Sequence, residues 1–213
     1  MQAGEGVELP IFELPTVLLP GELTALHIFE ERYKRMIAHC LDSGEPFGIV
    51  YRDDDGARRI GCEARVTDVV ERFDDGRMNI VVSGGRPFRV LDRFDAAGYP
   101  AGEVAPIEVA EDRPVDDAGG EKTADLARAA FAELVRRVSG EPPDAGEIAS
   151  DDSYAIAARV ELPAETKQRL LELRSEPERM KLLANALRAL VAALKRSRDV
   201  AERARMNGKV IVA

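Results

Sequence analysis

A glycine-rich segment near the middle of the chain has part of the pattern that binds nucleotide phosphates. A phosphate-binding loop needs Gly-x-x-x-x-Gly-Lys-Ser/Thr, because backbone amides and the lysine together surround the phosphate oxygens. Residues 119–123 read Gly-Gly-Glu-Lys-Thr, so that Glu121 stands between glycine and lysine. A carboxylate at that position would oppose a phosphate. We therefore interpret the segment as linker, and we predict that the protein uses no cofactor.

The two histidines are the side chains best suited to proton transfer at neutral pH. His27 lies between Leu26 and Ile28 in a predicted strand, whereas His39 lies on the predicted exposed side of a helix. We predict that His27 is hydrogen-bonded beside the edge of a barrel. Neither histidine is predicted to act as a catalytic base.

The cysteines and the acidic run Asp53–Asp55 could in principle bind a metal. Cys40 and Cys62 form no Cys-x-x-Cys pair and have no histidine cluster near them in the sequence, so they are predicted to be small core residues. The acidic run would bind a hard cation only if further oxygen ligands converged on it. Because Gly56 follows it, we predict a solvated turn and no metal site.

Charge is distributed unevenly along the 213 residues, whose formal net charge is −9. Residues 1–120 carry 13 basic and 24 acidic side chains, whereas residues 121–213 carry 17 basic and 15 acidic ones. The acidic first half should repel a phosphate backbone, so we predict no nucleic-acid partner. No run of about 18 apolar residues occurs, and the first residues are acidic rather than basic, so we predict a cytoplasmic protein without a membrane partner.

The other predicted elements are organised around a compact stretch at the start of the chain. Two apolar runs, Leu9–Leu14 and Leu23–Phe29, flank a turn-forming segment that contains two prolines and Gly21. From Phe29 onwards the apolar residues recur at a spacing of three and four, which predicts a helix with one buried side. Gly44 is predicted to close this helix in the left-handed conformation.

The next sixty residues have the alternation and the turn signals of short strands. The dipeptide Gly84-Gly85 predicts a bulge or a close backbone approach. Six or seven closely spaced strands predict a small antiparallel barrel or sandwich with one helix inserted near its start. The further strands are predicted at Pro46–Tyr51, Arg59–Phe73, Met78–Ser83, Phe88–Phe94 and Glu103–Val109.

The remainder of the chain is predicted to be helical after an acidic linker at Ala110–Gly120. Ser175 and Glu178 have the spacing of a capping box, and they open a long helix whose end beyond Leu194 is polar. We predict a β-barrel subdomain at residues 1–112 and a bundle of about four helices at residues 113–213. The other helices are predicted at Thr123–Val138, Ser150–Ala158 and from Pro163.

The ordered set of motifs resembles the N-terminal substrate-binding domain of Lon proteases. The opening Leu9–Pro15, then Leu18–Gly21, then Leu26–Tyr33 are similar to the start of that domain, and the resemblance extends over roughly residues 8–195. It implies an α+β fold in which a PUA-like pseudo-barrel precedes a helical bundle ending in a long helix. The family usually has an arginine directly before the phenylalanine at position 88, where this chain has Pro87 and places Arg86 one residue earlier. Further matching segments are 47–50, 60–65, 75–80, 84–90, 162–171 and 178–180.

The resemblance implies a binding module rather than an enzyme. A full Lon protease also has an ATPase module and a serine–lysine peptidase module, and none of the six lysines here has a matching serine context. The implied partners are unfolded or exposed protein segments, together with a protease or chaperone that receives them. Apolar side chains near the first helix are the candidate lining of a peptide groove. These candidates are Phe12, Leu18, Leu23, Phe29, Tyr33 and Phe88.

Two other functions remain open at this point. Barrels of the PUA group bind RNA elsewhere, so RNA binding is the alternative, although the acidic barrel half carries no basic–aromatic stripe. An unrecognised hydrolase or a small-molecule binder is the third possibility, and no motif supports it. The ligand, the client and the oligomeric state are not specified by the sequence.

Overall fold

The computed structural model describes residues 6–96, 98–107 and 117–207. They form two compact units, which are described separately. The first unit comprises the described residues up to 107 together with Ser153–Ser175, and the second comprises 117–152 together with 176–207. The strands are β1 (Val7–Leu14), β2 (Leu23–Ile28), β3 (Phe47–Asp53), β4 (Gly56–Arg72), β5 (Met78–Ala96) and β6 (Tyr99–Pro106). The helices are α1 (Glu31–Ser43), α2 (Asp117–Ser139), α3 (Ala145–Ile148), α4 (Ser153–Ala157), α5 (Ala164–Glu172) and α6 (Glu176–Asn207).

Five of the strands close into a ring in the order β5-β4-β3-β1-β6, and β6 pairs back onto β5. Strand β2 stays outside this ring and pairs with the first part of β5. Strands β1 and β3 run parallel, so the ring is a mixed sheet and the purely antiparallel barrel that the sequence predicted is wrong on this point. The connection explains it, since β2 and α1 form a crossover long enough to join two parallel strands.

The long strand β5 passes through Gly84 and Gly85 without a break, although the sequence predicted two separate strands there. The predicted close backbone approach is confirmed. A Cβ atom built on Gly84 would lie 1.9 Å from the carbonyl oxygen of Leu19. Only glycine therefore lets the chain segment before β2 pack directly on β5.

The core of the ring is built around large buried side chains, among which Phe88 is 1% exposed. Two glycines face its ring, because a Cβ on Gly48 or Gly61 would lie 2.5 or 2.8 Å from Phe88 Cζ. Leu9, Ile11, Val50, Val90 and Val104 complete this cluster.

Helix α1 has the buried stripe and the end that its sequence predicts. Gly44 adopts φ 70°, and its N–H donates to the Cys40 carbonyl oxygen, which closes the helix. The buried side chains follow the predicted three-and-four spacing: Tyr33, Met36, Ile37 and Cys40.

Both cysteines are free and buried, and Cys62 Sγ donates to the Gly85 carbonyl oxygen. Burial raises the pKa of Cys40 to about 11 and that of Cys62 to about 12. At pH 8 only about one Cys40 side chain in a thousand is then a thiolate. We expect neither thiol of the native protein to react with an aromatic disulfide reagent within an hour, and both to react in guanidinium. Rapid labelling of one thiol without denaturant would contradict this burial.

In the second unit, α2 packs against α6. The buried side of α6 contains Met180, Leu183 and Leu187, and its residues from 195 to 201 are exposed, as the predicted polar end requires. Helix α2 begins at Asp117, so the end of the predicted linker is helical. The rest of that linker, and the predicted boundary between residues 112 and 113, lie outside the described residues.

The segment Ser153–Ser175 belongs with the sheet rather than with α2 and α6, so the described helical unit has fewer helices than the predicted four. Helix α5 packs on β4, where the Gln168 side-chain amide donates to the Ile60 carbonyl oxygen at 3.1 Å. Within the segment, Tyr154 Oη donates to the Leu170 carbonyl oxygen. Leu170 and Leu171 of α5 are buried.

Candidate functional site

Four of the six predicted groove residues lie in the protein core. Phe12 and Tyr33 pack on each other with their ring centroids 4.0 Å apart, and Leu18 and Phe88 are also buried. Side chains enclosed in this way offer no surface to a peptide, so these four residues are corrected from groove lining to core packing. Their size and apolarity contribute to folding instead.

The other two predicted residues, Leu23 and Phe29, are 66% and 59% exposed. Leu23 opens β2, and Phe29 directly follows its last residue. Ala25 and His27 lie between them and are also exposed. We call Leu23, Ala25, His27 and Phe29 the β2 edge surface.

The backbone of β2 also has one unpaired edge, because β5 is the only strand in the described part of the chain that pairs with it. Beside the strand, the Gly84 N–H donates to the Glu22 carbonyl oxygen. Hydrogen-bonded pairs alternate in antiparallel strands, so residues 24, 26 and 28 bond to β5. It follows that the N–H and C=O groups of Leu23, Ala25 and His27 point to the open side.

At His27, a row of hydrogen-bonded side chains crosses the outer face of strands β2, β5 and β4. The His27 Nδ1–H donates to Asn79 Oδ1 at 2.6 Å, and Asn79 Nδ2 donates to Glu71 Oε2 at 2.9 Å. This assigns the proton to Nδ1, since the Asn79 oxygen can only accept. The predicted hydrogen bond of His27 beside the barrel edge is confirmed. The row holds the imidazole in one orientation on the β2 edge surface.

Aromatic rings extend this surface on both sides of His27. The Phe29 ring stacks on the imidazole with centroids 5.8 Å apart, and Phe73 meets it edge-on at 6.1 Å. The Arg77 guanidinium lies over Phe73, 5.0 Å from the ring centroid. The result is an apolar, aromatic patch at the end of an open strand.

The start of β2 is fixed by an ion pair that is largely excluded from water. Lys167 Nζ of α5 binds Glu22 Oε1, and the two side chains are 11% and 12% exposed. The second carboxylate oxygen of Glu22 accepts the Leu19 backbone N–H at 3.0 Å. The Gly21 N–H also donates to the Gly84 carbonyl oxygen. These contacts position β2 beside β5 although it lies outside the ring.

Carboxylates border the β2 edge surface. Glu31 is hydrogen-bonded to Lys34, which holds the pKa of Glu31 below its usual value, and its side chain is 73% exposed. The Arg77 backbone N–H is the main group that lowers the pKa of Asp75. Both carboxylates are therefore charged at neutral pH. Residues 6–107 carry 18 acidic and 12 basic side chains in all.

Two further groups of charged residues have structural partners. In the turn at Asp53–Asp55, Asp53 accepts the Asp55 backbone N–H at 3.0 Å and pairs with Arg58. Arg86 lies 3.6 Å from Glu63, and its side chain is 80% exposed, so it anchors the neighbouring strand only loosely. Among the described residues, no three His, Cys, Asp or Glu side chains are close enough to hold a metal ion.

Known proteins match almost the whole chain. The family model of the ATP-dependent protease La (LON) substrate-binding domain matches residues 8–189, and the chain belongs to this family. Lon protease from Anaeromyxobacter dehalogenans (strain 2CP-C) is 28% identical over 208 residues, which cover 90% of this chain and 24% of that protein. Lon protease from Paraburkholderia phytofirmans is 26% identical over 216 residues, which cover 92% of this chain and 26% of that protein. The chain thus spans about a quarter of the length of these curated relatives.

Solved structures give the same fold. The Lon N-terminal domain protein from Xanthomonas campestris aligns with a TM-score of 0.61 and 27% identity, over 83% of this chain and 96% of that one. The N-terminal domain of Mycobacterium avium complex Lon protease aligns with a TM-score of 0.66 and 23% identity, over 85% of this chain and 98% of that one. The second likeness is one of fold alone. The α+β class, with a ring of strands and helices in the C-terminal part, is confirmed.

Three contributors to the site were not predicted from the sequence: Ala25, Phe73 and Asn79. The available signal was the run Leu23–Phe29, which contains seven residues without a charge. Such a run also fits a buried strand, and only the pairing of β2 distinguishes the two cases.

No described helix is long and apolar enough to cross a membrane.

Proposed function

We propose that this protein binds exposed segments of unfolded polypeptides at the β2 edge surface and catalyses no reaction. The observation that carries the proposal is the exposure of alternate residues from Leu23 to Phe29, in a run without a lysine, arginine or carboxylate, on a strand outside the closed ring. Membership of a family described as substrate-binding domains supports it. In this proposal the protein works in the cytoplasm, where it passes bound segments to a protease or a chaperone.

The physical basis is burial of apolar surface that the fold leaves in water. Covering a side chain such as Leu23 or Phe29 contributes about 1.5–3 kcal/mol when burial is complete. A bound segment also loses conformational freedom, which offsets part of this gain. The expected affinity is therefore modest, as suits a transient client.

Serine at both positions, Leu23→Ser with Phe29→Ser, tests the proposal directly. We expect binding of a fluorescent, permanently unfolded carboxymethylated protein to weaken at least tenfold, because two apolar contacts are lost. The matched control is Leu126→Ser with Val138→Ser, which changes two exposed apolar residues of α2. Fluorescence anisotropy measures both affinities. Equal weakening by the two double variants, or binding unaffected by the first, would refute the site.

A further inference from the structure

The open side of β2 has the features of a strand that can receive another. Exposed edge strands of soluble proteins are usually blocked by lysine, by proline, by a bulge or by a covering loop. The run Leu23–Phe29 contains no lysine and no proline, and its pairing with β5 is regular over all six residues of β2. On this side the backbone donors and acceptors of Leu23, Ala25 and His27 bond to no strand in the described part of the chain.

We propose that the edge of β2 binds its client by strand addition, as an extended segment that is uncharged at its centre and basic at its ends. This inference rests on the proposed function and specifies its binding mode. Backbone hydrogen bonds to the open side supply affinity that is independent of the client's sequence. A module that binds many unfolded chains needs such contacts, because they recognise only the extended backbone.

Side-chain preference follows from the pleat of the strand. Directly paired residues of neighbouring strands share one face of the sheet. Every second residue of the client therefore lies beside Leu23, Ala25 or His27, on the face that continues to Phe29. Apolar side chains at alternate positions fit this face best.

Charge complementarity sets the preference for basic ends. The strand itself is uncharged, and residues 6–107 around it carry a net negative charge. Glu30 and Glu31, which follow the strand, already pair with an arginine and a lysine of the protein. This net charge would attract lysines that flank the centre of a bound segment, and it would repel flanking acids. The same argument disfavours a second copy of this chain. Pairing of two β2 strands would bring together two units of the same net negative charge.

Backbone methylation of the client is the sharpest test, because it leaves the protein unchanged. The probe is a labelled peptide, Lys-Lys-Leu-Thr-Val-Thr-Leu-Thr-Lys-Lys, measured by anisotropy. Two versions are N-methylated at two central amides each, at Val and the second Leu or at the second and third Thr. Only one of these two sets of amides faces β2. We therefore expect methylation to lower the binding affinity tenfold or more for one version and less than threefold for the other.

A substitution in the protein provides the second arm. Ala25→Pro removes one outward N–H and leaves the hydrogen bonds of residues 24 and 26 to β5 in place. It should therefore weaken binding of the unmethylated peptide about tenfold. The double variant Leu126→Ser with Val138→Ser on α2 is again the control and should bind as the parent does. Circular dichroism reports whether each variant is folded.

The outcomes separate the two proposals. Equal loss, or no loss, with both methylated peptides overturns strand addition, whereas the proposed function stands if the carboxymethylated protein still binds through Leu23 and Phe29. Loss of both kinds of binding in the parent protein would remove both proposals. A concentration-dependent dimer that Ala25→Pro abolishes would show that a second copy is the occupant, and it would overturn the inference.

Discussion

Replacement of Gly84 by alanine is expected to destabilise the first unit by about 3 kcal/mol or more. The added methyl group would lie 1.9 Å from the Leu19 carbonyl oxygen and 2.8 Å from the Leu19 carbonyl carbon. Both are backbone atoms, which cannot rotate away as a side chain can. The chain before β2 must therefore move off β5, and the hydrogen bonds between Gly84 and residues 21 and 22 weaken with it.

Urea unfolding, followed by circular dichroism, measures the effect. Gly85→Ala is the matched control, because Gly85 is exposed and the methyl group added there would meet a side-chain atom first, Glu63 Cβ at 3.1 Å. We expect that variant to stay within about 1 kcal/mol of the parent. The close approach is refuted if the two variants unfold at the same urea concentration. Because Gly84 also holds the start of β2, its replacement should weaken peptide binding as well.

The second large effect is expected from Lys167→Met. This change removes the cation and keeps an unbranched apolar side chain, so the Glu22 carboxylate stays in a site that is largely closed to water without its partner. Breaking a pair of this kind typically costs about 3 kcal/mol. The remaining hydrogen bond from the Leu19 N–H cannot compensate a full charge. Urea unfolding again gives the change in free energy.

A double variant distinguishes two causes of the lost stability: the missing attraction between Lys167 and Glu22, and the unpaired charge left on Glu22. Combining Glu22→Gln with Lys167→Met removes both charges, while the glutamine oxygen can still accept the Leu19 N–H. We expect the double variant to recover about 2 kcal/mol of the loss, since a neutral pair needs no partner ion. Additive losses would show that the two side chains do not interact in solution.

Local features of the fold follow from the sequence because their causes are local. Gly44 ends α1 through its own left-handed conformation, and the turn at Asp74–Gly76 joins β4 to β5 as its residues predict. Features that depend on distant partners were not predicted. The parallel pairing of β1 with β3 and the packing of α5 on β4 are set by long-range contacts that no single segment specifies.

The candidate site shows the same division. Phe12 and Phe29 are the same residue type in neighbouring apolar runs, yet one is buried and the other exposed. Phe12 belongs to a strand with a partner on each side, whereas Phe29 follows a strand that has only β5 beside it. Sequence periodicity shows where apolar residues lie along a strand. It does not show which strands pair to close the ring. The exposed pair Leu23 and Phe29 could therefore be proposed from sequence only together with the four core residues.

Residue-specific amide exchange, measured by NMR with and without a saturating unfolded polypeptide, tests the central claim most directly. In the free protein the amides of residues 24, 26 and 28 should exchange slowly, because they bond to β5, and those of Leu23, Ala25 and His27 should exchange fast. We expect the polypeptide to slow the latter three at least tenfold. Unchanged exchange at these three amides, with new protection confined to α2 or α6, would contradict a binding site at the edge of β2.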